Sequence, residues 1–342
     1  MDCAKRKKKS FAGRLLRASM SAFLLAVVAT LVAQDTKAPD AKAADAKPPD
    51  AKTPEMPPAE LVRVAVENEV AASTHPGALH MFRSHKQTPK VSQTRLYVET
   101  TDALAAMLVA VNDQPLNPEQ QQGETNHLAG LMKNPDQLRN KRKREKEDEQ
   151  RTLQIVKALP NAFLYQYANS EKSEKSDKGE AAPDEGSPMV KLTFTPNPAY
   201  SPPSRVEQVL AGLQGYLLID TKARRLARID GTLMREVSFG WGIIGRLDKG
   251  GHFLVQQADL GLGDGSWGIT EINLSVTGKL LLFKGLNMVS DEVLTDFRKM
   301  PENLTFAQGV EMLKTEQEKL AHSMHADQPH ADPPTEAQKT PQ

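Results

Sequence analysis

Apolar side chains change period twice along this chain, and the changes mark out its elements. After Pro57-Pro58, Leu61, Val62, Ala65, Val66 and Val70 recur three and four apart, which predicts a core-packing helix over 59–72. A weakly patterned stretch holding His75, His80 and His85 leads into a strand at Arg95–Thr100. Residues 104–111 (LAAMLVAV) read as the returning strand in preference to a short helix. Thr101-Asp102 supplies a turn before them, and Asn112-Asp113-Gln114-Pro115 another after them.

Helical signals then return. Asn117-Pro118 and Asn134-Pro135 repeat one start signal, Asn as N-cap and Pro at the first helical position. They predict helices near 118–133 and 135–159, the second with a stretch at 139–151 (RNKRKREKEDEQR) that lacks any apolar residue. Its basic residues are followed closely by acids, so it reads as a solvated helix or short coiled-coil arm laced by ion pairs. Contact of Arg139, Lys141, Arg142, Lys143 and Arg144 with an anionic surface is blunted by those acids.

From residue 160 the period becomes two. Phe163, Tyr165 and Tyr167 alternate, as do Val190, Leu192 and Phe194. Pro196, Pro198, Pro202 and Pro203 mark a crossing loop, with a short helix after it at 204–211. Beyond Gly212 the segments 216–220, 225–231, 233–239, 252–260, 267–278 and 279–290 follow, bounded by Gly or Asp-Gly, and the first two form a hairpin around Thr221-Lys222-Ala223. Short strands with no helices between them make an antiparallel sheet. Ile272, Leu274 and Val276 give it an apolar face, and the step from Ile269 to Ile272 breaks the alternation as a β-bulge would. Thr305 caps a closing helix through Phe306, Val310 and Leu313. The fold class is α+β: a curved antiparallel sheet, a half-barrel-like meander, with N- and C-terminal helices and a helical insertion at 118–159.

Composition adds the flanks. Residues 34–58 repeat a PDAK-like unit and read as a disordered Ala/Pro/Asp/Lys linker; 321–342 read as a disordered tail and 169–188 as a mobile loop, leaving 59–320 as the domain. Lys5, Arg6, Lys7, Lys8 and Lys9 precede an uncharged run, Met20 to Ala33 (MSAFLLAVVATLVA). A basic segment, a short apolar one and a small residue at its end compose a signal peptide over 1–33, cleaved near Ala33. A spanning helix would need roughly 20 apolar residues. A periplasmic or secreted protein without a transmembrane anchor after cleavage is the expectation.

That leader holds seven of the 44 Lys and Arg and one of the 43 acids, so the remainder carries 37 basic against 42 acidic side chains. No basic footprint for nucleic acid is left. Cys3, the one cysteine, also lies in the leader. Without it the mature chain has no disulfide, thiol nucleophile or Cys-based metal site.

Candidate chemistry is thin. Gly240, Gly242 and Gly245 spell G-x-G-x-x-G, but Asp248-Lys249-Gly250-Gly251 stands where a phosphate-binding helix should begin. These glycines read as tight turns or points of close approach. His75, His80 and His85, spaced by five, share no face, while His322, His325 and His330 fall in the tail. Asp220, Asp230 and Asp264 read as turn residues, and Trp241 and Trp267 as core. No G-x-S-x-G or H-E-x-x-H occurs, so no catalytic residue, metal site or cofactor is assigned and no enzymatic activity is expected.

The segment 215–231, GYLLIDTKARRLARIDG, resembles the strand–turn–strand hairpin of the periplasmic lipoprotein-carrier (LolA-like) superfamily. Together with FGWGIIGRLDKGG and DFRKMPENLTFAQ, it also resembles exported bacterial proteins of unknown function. The resemblance covers roughly 60–320. It implies a concave apolar face able to hold a lipid or acyl chain, or a lipoprotein carrying one, with helix 59–72 or 305–320 as a lid. The insertion 118–159 and the loop 169–188 depart from those carriers, so no ligand-binding residue is transferred. The alternative expectation is an envelope interaction or structural protein that meets a partner protein through the arm 135–159.

Overall fold

A computed structural model describes residues 56–74, 77–168, 188–239, 245–280 and 284–326. The expected signal peptide (1–33), all but the end of the expected linker (34–58), residues 169–187 and those beyond Ala326 lie outside the described residues.

The described residues form one open 13-stranded antiparallel sheet and four helices. In chain order these are α1 (Pro58–Thr74), β1 (Leu79–Gln87), β2 (Ser92–Val98), β3 (Ala105–Val111), β4 (Gln114–Pro115), α2 (Pro118–Lys133), α3 (Pro135–Ala162), β5 (Phe163–Tyr167) and β6 (Met189–Pro196). A 3₁₀ turn at Glu207–Gly212 leads to β7 (Leu213–Asp220), β8 (Arg225–Leu233), β9 (Val237–Phe239), β10 (Gly245–Leu247), β11 (His252–Asp259), β12 (Trp267–Leu280), β13 (Lys284–Met300) and α4 (Phe306–Ala326). The strand order is β4-β3-β2-β1-β13-β12-β11-β8-β7-β6-β5, with β10 paired to β12 and β9.

The α+β curved sheet expected from the sequence is the fold observed. The expected bulge is there too: Gln256 faces Glu271 and the next pair is Gln257 with Ile269, leaving Thr270 as the extra residue. Three segments differ. The expected strand 233–239 is divided, Leu233 closing β8 and only Val237–Phe239 forming β9. Leu79–Gln87, expected as weakly patterned, is a strand, and 279–290 is not a separate one. Instead β12 runs through Gly278 to Leu280, and β13 continues from Lys284 to Met300.

Neighbouring residues on β1 and β2 show how the helices divide. The pair Phe82–Tyr97 joins the core containing α1 and the end of α3, whereas Met81–Val98 joins the core containing α4 and Leu128 of α2. Successive strand residues face opposite ways. So α1 and the C-terminal part of α3 cover one face over β5 to β13, while α4, α2 and Leu138 at the start of α3 belong to the core on the other, over β1 to β3. Helix α4 therefore lies behind the sheet and cannot serve as the expected lid.

Helix α3 also reports the curvature. Glu145 near its middle accepts the edge amide of Leu104, just before β3, at 3.2 Å, and β5 begins where the helix ends. Those points lie about 27 Å apart along a helix rising ~1.5 Å per residue. The nine strand-to-strand steps from β3 to β5 would span about 43 Å if flat. The sheet curls toward α3, which bridges its two ends. This makes the α1/α3 face concave.

Candidate functional site

The concave face is built from alternate residues of the meander. Leu192, Leu217, Ile229, Val255 and Ile272 stand side by side on β6, β7, β8, β11 and β12. Phe253 and Leu274 form the next row. Facing them are Ile155, Val156 and Leu159 of α3 and Val206, Val209 and Leu210 at the 3₁₀ turn. Between roof and sheet lies a cavity of about 90 Å³ with almost wholly apolar walls. That is smaller than the ~150 Å³ that accommodates benzene.

The roof is held by polar groups beside the cavity. Gln154 on α3 donates to Glu207 Oε1 at 2.7 Å and to Ser204 Oγ at 2.9 Å, and the Tyr200 hydroxyl donates to the same Glu207. Burial and that carboxylate push the Tyr200 hydroxyl well above its ordinary range. Glu207 therefore joins helix, turn and proline loop at one point.

Toward β13 and β1 the same face becomes polar and open. A pocket of about 370 Å³ is lined by Lys86, Thr88, Lys90, Met288, Ser290 and Glu292, with Ile272 and Leu274 at its base. Glu292 accepts from Ser84 Oγ at 2.6 Å and lies 3.4 Å from Lys86 Nζ. Burial, with Glu292 adding to it, pushes the nearby Tyr97 hydroxyl up to about 12. Tyr97 stacks on Phe82, and Phe82 on Phe297, closing the floor on this side.

Helix α1 is locked at its C-terminal end. The Arg225 guanidinium donates to both Glu69 oxygens at 2.7 Å, Gln257 Nε2 donates to Glu69 Oε1 at 2.8 Å, and the Leu226 amide donates to that oxygen at 3.1 Å. Arg225 also sits 5.4 Å from the Trp267 ring. The pair is buried and its carboxylate is fully engaged, a case in which removing one partner is costly.

The opposite face carries a polar ladder that sequence reading missed. His252 places Nε2 3.0 Å from Asp230 Oδ1 and Nδ1 3.3 Å from Asn273 Oδ1, and Asn273 donates to Asp291. Arg228 bonds Gln256 and the Tyr216 hydroxyl, which burial, with Asp230 adding to it, pushes far up. Asp230 is thus a mid-strand residue, correcting its reading as a turn residue. Both His252 nitrogens are engaged, so the ladder's geometry is that of cross-strand pairing.

The remaining candidates separate. Asp220, the last residue of β7, accepts the Ala223 amide across the following turn, and Asp264 lies in a bend where it accepts the Ser266 amide. Trp267 is buried, while Trp241, Gly240 and Gly242 lie outside the described residues. Gly245 lies in β10 at a close approach to the Lys279 carbonyl, as a point of strand contact requires. His80 is buried with Nδ1 3.2 Å from Glu99, and His85 faces the other way toward Thr94 at 3.1 Å. His75 and the tail histidines are outside the described residues, among which no metal-binding cluster of His, Cys, Asp and Glu occurs.

Fold and site together define an α+β protein with a curved sheet, an apolar cavity under a helical roof and a cationic pocket beside it. No family model, curated protein or solved structure matches the chain.

Proposed function

We propose that the chain is a non-catalytic binding or carrier protein for an apolar ligand, a lipid or acyl chain, working in the periplasm or as a secreted protein. The apolar cavity between the concave face and the roof carries this reading. Apolar walls gain roughly 25 cal/mol for each Å² of hydrocarbon they take from water. The cavity is narrow, so entry requires the turn Glu207–Gly212 to swing outward, and Glu207 is where that movement is restrained. The signal-like residues 1–33 support export, and no helix among the described residues is long and apolar enough to cross a membrane.

Native mass spectrometry after mild extraction tests the proposal. A co-purifying lipid mass is expected on the native chain and is expected to disappear in Ile229→Trp, whose indole fills the cavity. Protein that is always ligand-free and binds no apolar probe overturns it.

A second reading, an envelope interaction protein docking through 135–159, draws on a groove of about 640 Å³ flanked by Asp102, Arg142, Lys143 and Lys146. Reversing the charge of the three basic residues, while retaining folding, is expected to abolish that docking. An unaffected envelope cross-link would remove the reading.

A further inference from the structure

The closed cavity and the open pocket are neighbouring stretches of one wall whose polarity changes from end to end. Val255 pairs with Ile272 and Phe253 with Leu274 across β11 and β12. The first member of each pair lines the closed cavity, Ile272 lines the open pocket, and Leu274 lines both. One strand further, Ser290 faces Leu274 and Glu292 faces Ile272, and on β1 Lys86 faces Glu292. At about 4.8 Å per strand, the face passes from phenylalanine and valine to serine, glutamate and lysine within four strands.

Lys90 is exposed at the rim of the pocket and Lys86 is half-buried in its wall. Two ammonium groups thus stand against one carboxylate, and that carboxylate is already engaged by Ser84 and Lys86. The opening presents net positive charge beside an apolar interior. Resting on the apolar-ligand reading above, we propose that the ligand is a single-chain anionic amphiphile, a fatty acid. Its hydrocarbon tail runs over Leu274 into the closed cavity, and its carboxylate lies between Lys86 and Lys90. The cavity is smaller than a benzene site, so the tail enters only as the turn Glu207–Gly212 moves outward, and a single chain asks less of that movement than a pair.

Fluorescence titration of the purified full chain with cis-parinaric acid and with its methyl ester, which has the same tail without the charge, tests this. The native chain is expected to bind the acid more tightly than the ester. In Lys86→Gln/Lys90→Gln the acid is expected to weaken about tenfold, the loss typical of a charge-assisted hydrogen bond. The ester is expected to be unchanged, which also shows that the variant is folded. High salt is expected to narrow the difference between acid and ester. In Ile229→Trp both probes are expected to be lost. Equal binding of acid and ester, insensitive to the two lysines, overturns the anionic head group and leaves the apolar reading standing. Retention of both probes by a folded Ile229→Trp overturns the path into the cavity. Failure of the native chain to bind either probe overturns both proposals.

Discussion

Gly215 and Gly231 face one another across β7 and β8, at the two ends of the segment on which the carrier resemblance rests. A Cβ on Gly215 would run into the backbone carbonyl of Asp230, so the strands come this close only because Gly215 has no side chain. Gly215→Ala is expected to lower stability by about 2–4 kcal/mol in urea unfolding. Gly285→Ala, where the added methyl meets open space, is expected to change it by under about 0.5 kcal/mol. Equal effects would refute the close-approach argument. Arg225 tests the same scale through charge. Arg225→Leu strands the buried Glu69 carboxylate and is expected to cost about 3–5 kcal/mol, while adding Glu69→Leu recovers part of that loss. Glu69 could be read from the sequence only as a polar position within a helix. Its partner lies 156 residues away, and no local pattern carries such a distance. The Asp230–His252 contact escaped for the same reason, since it exists only once the β8–β11 register is set.

Elements whose ends are fixed by local chemistry were legible. Asn117 and Asn134 cap their helices as the Asn-Pro signals indicate, accepting the amides of Gln120 and Gln137 at 2.9 and 3.0 Å. Asn134→Ala is expected to cost about 1 kcal/mol, measured by thermal unfolding. Strand β1 was not legible, because α4 covers one of its faces and the aromatic stack covers the other. Buried on both sides, Leu79–Phe82 shows no alternation to read. Helix α4 is tied to β13 by Glu316, whose carboxyl the Arg298 hydrogen bonds hold below its ordinary 4.5. A depressed folded value means stability that is present above the unfolded value and lost as pH falls through the folded one. Asp148 on α3 has the opposite sign. Burial raises its carboxyl, so its contribution is present below the unfolded value and lost as pH rises through the folded one. Glu316→Gln is therefore expected to flatten the fall in stability below about pH 4.5. An unchanged acid limb in denaturant titrations would show that the pair contributes nothing.

The curled sheet leaves open edges, and an edge strand with free amides is a template for pairing with another chain. Beyond the two-residue β4, the outer edge of β3 is covered by carboxylates from the insertion rather than by another strand. Glu124 of α2 accepts the Leu108 amide at 2.9 Å, and Glu145 of α3 accepts the Leu104 amide at 3.2 Å. Glu145 is further held by Lys141, 3.0 Å away, so the ion pairing expected along 139–151 positions an edge cap instead of stiffening a free arm. The helical insertion thus has two whole-molecule roles, holding the sheet curled over the cavity and closing one of its edges. Replacing both acids in Glu124→Ala/Glu145→Ala would expose one amide on the mostly apolar β3 and one just before it. The variant is expected to keep its circular dichroism spectrum but to form concentration-dependent oligomers, seen by light scattering after size-exclusion chromatography. Glu119→Ala, at an exposed acid in the first turn of α2, is expected to match the native chain. If the double variant also matches it at every concentration, the carboxylates are not what keeps this edge from pairing.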